Sequence, residues 1–574
     1  MTDFKELDPL RREANANQLD LVESFVQGKI NRRHFIQRGT VLGLSLASIS
    51  AIIAACGGSS GGGGGGGAAS TDTGIGGGGG ATTAEVKQGG TIKLAMSLPG
   101  SEGVNPITMI DLVTYNVCAQ VFEYLVRSAS DLSIQPQLAT KWEATKDDAT
   151  EWTFTLREGV MWQDGTPFTA KDVVATMDRL IDAGNSALTG TLEKGATVAK
   201  DDMTVVFTLS KANGHFPYLV SSDNTQSQIT PVAWTVKDNL KPGIGGTGPW
   251  KLTQLDVKKG ATYVRNDAWW GGKTPLDGVE FIFIEDTAAQ VAAVSSGEAD
   301  GTPVFSADQG EALLNDSTMN IVELKSATHR QLWMRCDKGT VMDPKVRQAI
   351  AWSIDRDAAV QKALGGHGEV ANDQVIFGLY PYFDSAAVEQ RAQDIDKAKA
   401  LLSEAGADGL SIELPYIKAI DMSNLAIVAA DGMKKAGINV KLIGGDYGTF
   451  YGKYWCPAKP AKPPCSGASD AGIVDYGHRG TPDVYLNAAL STNGVWNSSQ
   501  YASSTFDTQW AAWSAAISVD DQKSTAAEIE KTLWNDVPVM IPYTINTLSA
   551  FSSKYQGIQT TAMGFTFLEG ASQA

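Results

Sequence analysis

The chain has 574 residues, 43% of them apolar, and a formal net charge of −17. That length exceeds one ordinary domain and supplies ample apolar surface for a large core. The acidity argues against a nucleic-acid-wrapping surface, which needs clustered Lys and Arg to displace counterions. The 14 Trp, 15 Tyr and 18 Phe argue against a disordered chain.

The N-terminus reads as an address. Polar residues 1–31 lead into Asn31-Arg32-Arg33-His34-Phe35-Ile36-Gln37-Arg38-Gly39, then a mild apolar run from Thr40 to Ala55, then Cys56. A basic region, a short apolar run and small residues before a cleavage point make a secretory signal. Arg32 and Arg33 resemble the pair of a twin-arginine signal. Ile53-Ala54-Ala55-Cys56 resembles a lipobox, in which Cys56 is diacylated. A transmembrane anchor stays open as an alternative, although the run is shorter than the roughly 20 residues of a span. Residues 57–87 read as a flexible linker dominated by Gly, which from Cys56 to Gly89 spans roughly 30 Å as a random coil.

Cys456 and Cys465 flank the proline-rich stretch 457–464. Outside the cell that spacing suggests a disulfide closing a surface loop. Cys118 and Cys336 sit in apolar or mixed segments and read as two buried thiols or as a second bridge. No C-x-x-C pair supports a zinc or redox motif.

The body opens with the strand Thr91–Met96. Alternation returns at Trp152–Arg157, with large apolar groups on one face. Gln163-Asp164-Gly165-Thr166-Pro167 reads as a turn. Thr169-Ala170-Lys171-Asp172 is a capping box before a helix carrying Val173, Val174, Met177 and Leu180. A strand follows at Thr204–Leu209, and another starts at Trp250 after a Gly-rich bend. Asp343-Pro344 begins a helix with Asp as N-cap and Pro in the first turn. A second helix ends at Ala405-Gly406. A third covers 424–436 and leads into a strand at 438–442. This order predicts an α/β arrangement.

Several blocks together carry a resemblance. They are Pro136–Glu143 with Trp152–Val160 and Asp164–Val173; Gly246-Thr247-Gly248-Pro249-Trp250; Arg265-Asn266 through Trp270-Gly271-Gly272; Ser296–Asp300; Asp343–Ile350 with Ile354-Asp355-Arg356; Asp396–Leu402; and Lys434–Ile438. In order and spacing the chain resembles the family 5 extracellular solute-binding proteins, the dipeptide- and oligopeptide-binding group, over residues 88–574. The resemblance implies an α/β, two-lobed clamshell receptor of the periplasmic-binding-protein type II class with an extended first lobe. Lobe I would take 88–320 with 546–574 returning to it, and lobe II 321–545. It implies a monomer that captures a small solute, peptide or peptide-like, and delivers it to ABC permease and ATPase subunits. It implies no cofactor, no metal and no nucleic acid.

In peptide-binding members an Asp in a Trp-Gly-Asp-like segment anchors the peptide amine. The matching stretch here is Val474–Tyr485, which puts Asp475 at the Trp position and His478, followed by Arg479, at the Asp position. His478 and Arg479 suit a solute with acceptor oxygens; a slip of a few positions leaves Asp475 as the anion. The carboxylate-gripping Arg of dipeptide binders has only Lys418 as a nearby match. Arg330 and Trp333 are candidates on the strand before the long helix. Alternation forbids both from facing one side, and Trp333 equally suits the core. Tyr476, Trp496 and Tyr501 are candidate aromatic walls.

An enzyme finds little support. Trp270-Gly271-Gly272-Lys273-Thr274 ends like a phosphate loop but has Asp267 where the first Gly belongs. No H-E-x-x-H or G-x-S-x-G occurs. A secreted lipoprotein enzyme, or a surface receptor or chaperone on the same fold, remains the alternative.

Overall fold

The computed structural model describes residues 14–56, 86–100, 103–418, 420–457 and 462–574. Residues 57–85, most of the expected linker, lie outside the described residues. The chain divides into two compact units. The first holds the chain up to Leu324 with Ile517–Val519 and Thr547–Ala574; the second holds Lys325–Ala516 and Asp520–Asn546. The long crossings between the units fall at 324/325 and 546/547. The short excursion at 517–519 had no signal in the sequence.

The first unit is built on a seven-stranded mixed sheet. Thr91–Met96 lies at its middle, parallel to Gly278–Phe283 on one side and to Gly301–Phe305 on the other. Thr547–Ser552 inserts antiparallel between Gly301–Phe305 and Met319–Leu324, so the C-terminal segment completes the sheet. Ile92 and Leu94 are fully buried while Thr91 and Lys93 are exposed, as a period of two requires. One face packs Val291, Val294, Phe305, Leu313 and Leu548 into a core.

A second, four-stranded antiparallel sheet joins Ala139–Ala144, Glu151–Leu156, Thr204–Leu209 and Leu192–Asp201 in that order. Trp152, Phe154 and Phe207 point inward from it. The predicted turn forms, with Gly165 at φ +87° donating its N–H to the Trp162 carbonyl; that left-handed conformation favours glycine. The predicted helix runs Ala170–Asp182, entered through the Thr169/Asp172 capping box, with Val173, Met177 and Leu180 fully buried.

The second unit centres on the strand His329–Met334. Ala471–Tyr476 pairs with it antiparallel on one side; Val539–Met540 and Tyr543–Ile545 pair on the other, and Gly368–Val370 extends the edge. Asp343 caps the helix Pro344–Ser353 as predicted, its side chain accepting from the Lys345 N–H. The third predicted helix runs Ile420–Lys435, beginning earlier than expected. The strand after it, Asn439–Gly445, pairs parallel with Ser411–Ile417. At the centre of the unit, the fully buried Arg391 and Arg356 both hold Asp373. Trp352 and Trp534 flank the Arg391 guanidinium.

Cys456 and Cys465 are joined in a disulfide, with Cα atoms 4.1 Å apart. Cys118, buried, and Cys336, half-buried, are thiols. Among the described residues no helix is long and apolar enough to cross a membrane. The run 40–55 is not one helix. It is split between Arg32–Val41 and Leu46–Cys56, with Gly43 at φ +80° between them.

Candidate functional site

The register of one strand pair places the charged groups of the second unit. His329–Met334 pairs with Ala471–Tyr476 so that Arg330 stands directly opposite Asp475, and His329 opposite Tyr476. Directly opposed side chains in an antiparallel pair share a face, about 5 Å apart at Cβ. Arg330 and Asp475 therefore share one face; His329 and Tyr476 share the other, stacked at 5.3 Å with their rings nearly parallel.

Arg330 forms an ion pair with Asp421, in which Nη2 donates the hydrogen bond and Nε is close without hydrogen-bond geometry. Its Nε and Nη2 lie 2.9 and 3.1 Å from the two carboxylate oxygens. Tyr543 donates its hydroxyl to Asp421 at 3.2 Å. Burial works against the guanidinium charge, but the carboxylates of Asp421 and Asp475 outweigh it and hold its pKa above the ordinary value. Asp475 accepts a hydrogen bond of 2.5 Å from the Tyr451 hydroxyl. Tyr451 stacks on the exposed Tyr447, centroids 6.0 Å apart, and meets Trp455 edge-on. Burial and the Asp475 charge push the Tyr451 phenol up, so it stays a donor. One guanidinium against two carboxylates leaves this cluster one formal negative charge. Within it Asp421 is buried, while Asp475 and Arg330 are half-buried.

The other candidates fall elsewhere. Trp333 is a correction: it is fully buried, donates to the Ser469 carbonyl and packs edge-on against Phe450, so it belongs to the core. Its ring lies over Gly472, where an added Cβ would come within 2.1 Å of it. His478 is buried, and its Nδ1 accepts from the Ala327 N–H at 2.9 Å. Burial, then the neighbouring Arg479 charge, pushes its pKa down to about 3. A neutral imidazole with that nitrogen occupied does not offer a positive charge to an anionic solute. Arg479 is half-buried and donates from Nη1 to the His478 carbonyl.

Lys418 is exposed, with its stem against Gly444. Tyr476 is buried against His329, Tyr485 and Trp496. Tyr501 is buried and donates to Asp536, so it is a structural tyrosine and not a wall.

Asp421, Tyr451, Tyr447 and Tyr543 had no place in the sequence reading. The only available signal was the aromatic run Tyr447–Trp455 just before Cys456. In the first unit the reading also missed Glu123. Its carboxylate accepts from the indoles of Trp270 at 2.9 Å and Trp269 at 3.2 Å. Burial raises its pKa to about 7, against the pull of those indole N–H groups. Arg157 covers the Trp270 ring at 4.0 Å. Among the described residues no group of three or more His, Cys, Asp and Glu is placed to hold a metal ion.

Residues 133–521 match the family described as bacterial extracellular solute-binding proteins, family 5. The chain belongs to that family. Family 5 proteins bind solutes outside the cytoplasm, and that role applies to this receptor. It is 27% identical to the probable D,D-dipeptide-binding periplasmic protein DdpA of Escherichia coli over 351 residues, covering 59% of this chain and 67% of that protein. It is 25% identical to the probable peptide ABC transporter periplasmic-binding protein y4tO of Sinorhizobium fredii, covering 81% and 90%. The substrate-binding protein CtaP of Listeria monocytogenes superposes with a TM-score of 0.73 at 22% identity, over 85% of this receptor and all of CtaP. That likeness establishes the fold, the type II class of periplasmic binding proteins.

Proposed function

We propose that this family 5 receptor captures a peptide or peptide-like solute bearing a positively charged amine and hands it to the permease and ATPase of an ABC importer. The names of the relatives support the import role. The Asp475 cluster supports the amine. It presents a half-buried carboxylate held by Tyr451, beside a guanidinium already engaged by Asp421. A solute ammonium fits that residual negative charge; a carboxylate or phosphate meets repulsion. Tyr447 and Tyr451 offer ring faces beside it, to which a cation is also attracted. Asp475 thus takes the role that the sequence alignment left open between itself and His478.

The same proposal covers the address. Arg32 and Arg33 serve as a twin-arginine export pair, and Cys56 becomes the diacylated first residue that ties the receptor to the outer face of a membrane. Several acyl chains together hold firmly where one does not. Cys56→Ala should release the protein to the soluble fraction, and unchanged retention on washed membranes would sink the anchor.

The solute reading is tested by titration calorimetry with free peptides, their N-acetylated forms and a panel of organic anions. Free peptides should bind near micromolar, roughly −8 kcal/mol. N-acetylation and Asp475→Asn should each abolish the heat. An anion that binds equally well to wild type and Asp475→Asn defeats the amine assignment.

A further inference from the structure

The segment ahead of Cys56 is built into the first unit. Its helices are Ala16–Val26, Arg32–Val41 and Leu46–Cys56. Asn31 caps the second, its side chain accepting from the His34 N–H, and Phe25 stacks on Phe35 at 4.4 Å. The contacts to the body are specific. Gln37 Nε2 donates to the Asp131 carbonyl at 2.6 Å. The Thr40 hydroxyl accepts the Ile134 N–H at 2.8 Å. Trp142 Nε1 donates to the carbonyls of Thr40 and Val41 at 3.0 and 3.1 Å. Arg38 donates to the Ile517 carbonyl.

A helix leaves its last carbonyls without partners of its own; here an indole from the four-stranded sheet supplies one. Gly43 lies so close to the sheet that a Cβ there would meet the Trp142 carbonyl at 2.2 Å. Phe35, Gln37, Arg38, Thr40 and Val41 are buried, while Arg32 and Arg33 on the same helix are exposed.

Asp131, Ile134, Trp142 and Ile517 come together only when the first unit is folded. The segment is thus matched to a folded surface, not to a nascent chain. We propose that residues 31–44 are an intramolecular ligand of the folded first unit, which displays Arg32 and Arg33 while withholding the following apolar residues until the segment undocks. The consequence for export rests on reading residues 1–56 as a signal; the docking itself does not. Val41, Leu42, Leu44, Ile49 and Ile52, which an apolar signal run must expose to enter a membrane, are buried here. The dock therefore holds the signal in a state that a translocase reads first through its arginines.

The test uses the full-length precursor. Hydrogen exchange should show amides 35–44 slowed at least a hundredfold against the rates of an unstructured chain. Thr40→Val, which loses the acceptor for Ile134 N–H, and Gly43→Ala should each speed that exchange at least tenfold, leaving strand Glu151–Leu156 unchanged. Unstructured rates in the wild type, or equal protection in both variants, overturn the dock.

In cells, Thr40→Val should raise the rate of processing at Cys56 several-fold, and an unchanged rate overturns the withholding. The paired variant Arg32→Lys/Arg33→Lys separates the two ideas. Export that ignores it removes the signal reading, while protection of residues 35–44 still decides the dock.

Discussion

Arg330 and Asp475 stand directly opposite each other across an antiparallel strand pair, yet the guanidinium forms its ion pair with Asp421. That division of partners leaves Asp475 half-buried, with the Tyr451 hydroxyl as its donor.

Removing the guanidinium should be costly. Asp421 is buried, and Arg330→Met leaves it with Tyr543 alone. Breaking a buried pair on one side costs about 3–5 kcal/mol. Adding Asp421→Leu should recover most of that loss. Urea unfolding of both variants checks it, and equal losses in the single and double variants would refute the pairing energetics.

Tyr451 positions Asp475 through one charge-assisted bond. Tyr451→Phe should weaken binding of an amine-bearing peptide by about tenfold, ~1.4 kcal/mol, in the range of a hydrogen bond to a charged group. The melting temperature should move little. Unchanged affinity by calorimetry would show that the hydroxyl does not hold the carboxylate for solute.

Gly472 makes room for Trp333. A Cβ at that position collides with the ring, so Gly472→Ala should destabilise the second unit by about 1–3 kcal/mol. Thermal unfolding followed by tryptophan fluorescence reads the shift directly, and a neutral result would mean the indole can move aside.

Acid should unfold the protein partly through its histidines. His478 and His329 are buried, with pKa values pushed down to about 3 and about 4. Below an unfolded value near 6.5 the unfolded chain takes up protons that the folded chain refuses. Their contribution is therefore full above about pH 6.5 and falls as pH drops towards 3. The wild type should lose up to a few kcal/mol more than His478→Gln between pH 7 and 4. Glu123 acts in the opposite sense. Its folded pKa is raised to about 7, so its contribution is full below the unfolded value near 4.5 and is lost as pH rises through 7. Glu123→Gln should flatten that alkaline decline in denaturant titrations.

Reduction of Cys456–Cys465 should cost about 2–3 kcal/mol, the loop-closure entropy of a short loop. Chemical unfolding with and without reductant measures it.

The sequence by itself determined the local elements and their order. Alternation marked Thr91–Met96 and Trp152–Arg157, caps at Thr169 and Asp343 marked helix starts, and the succession of blocks marked the family. These features act within a few residues, through backbone period, capping and turn chemistry, so a linear reading reaches them. Only the tertiary structure shows how the candidate side chains are placed and buried. Whether Asp475 or His478 carries the usable charge depends on register with Arg330, and on Asp421 and Tyr451 arriving from distant helical segments. It depends equally on burial, which makes His478 a neutral acceptor for Ala327 and turns Trp333 into core. Burial and cross-strand register are properties of the packed chain, where dielectric and partner supply are set by residues far away in sequence.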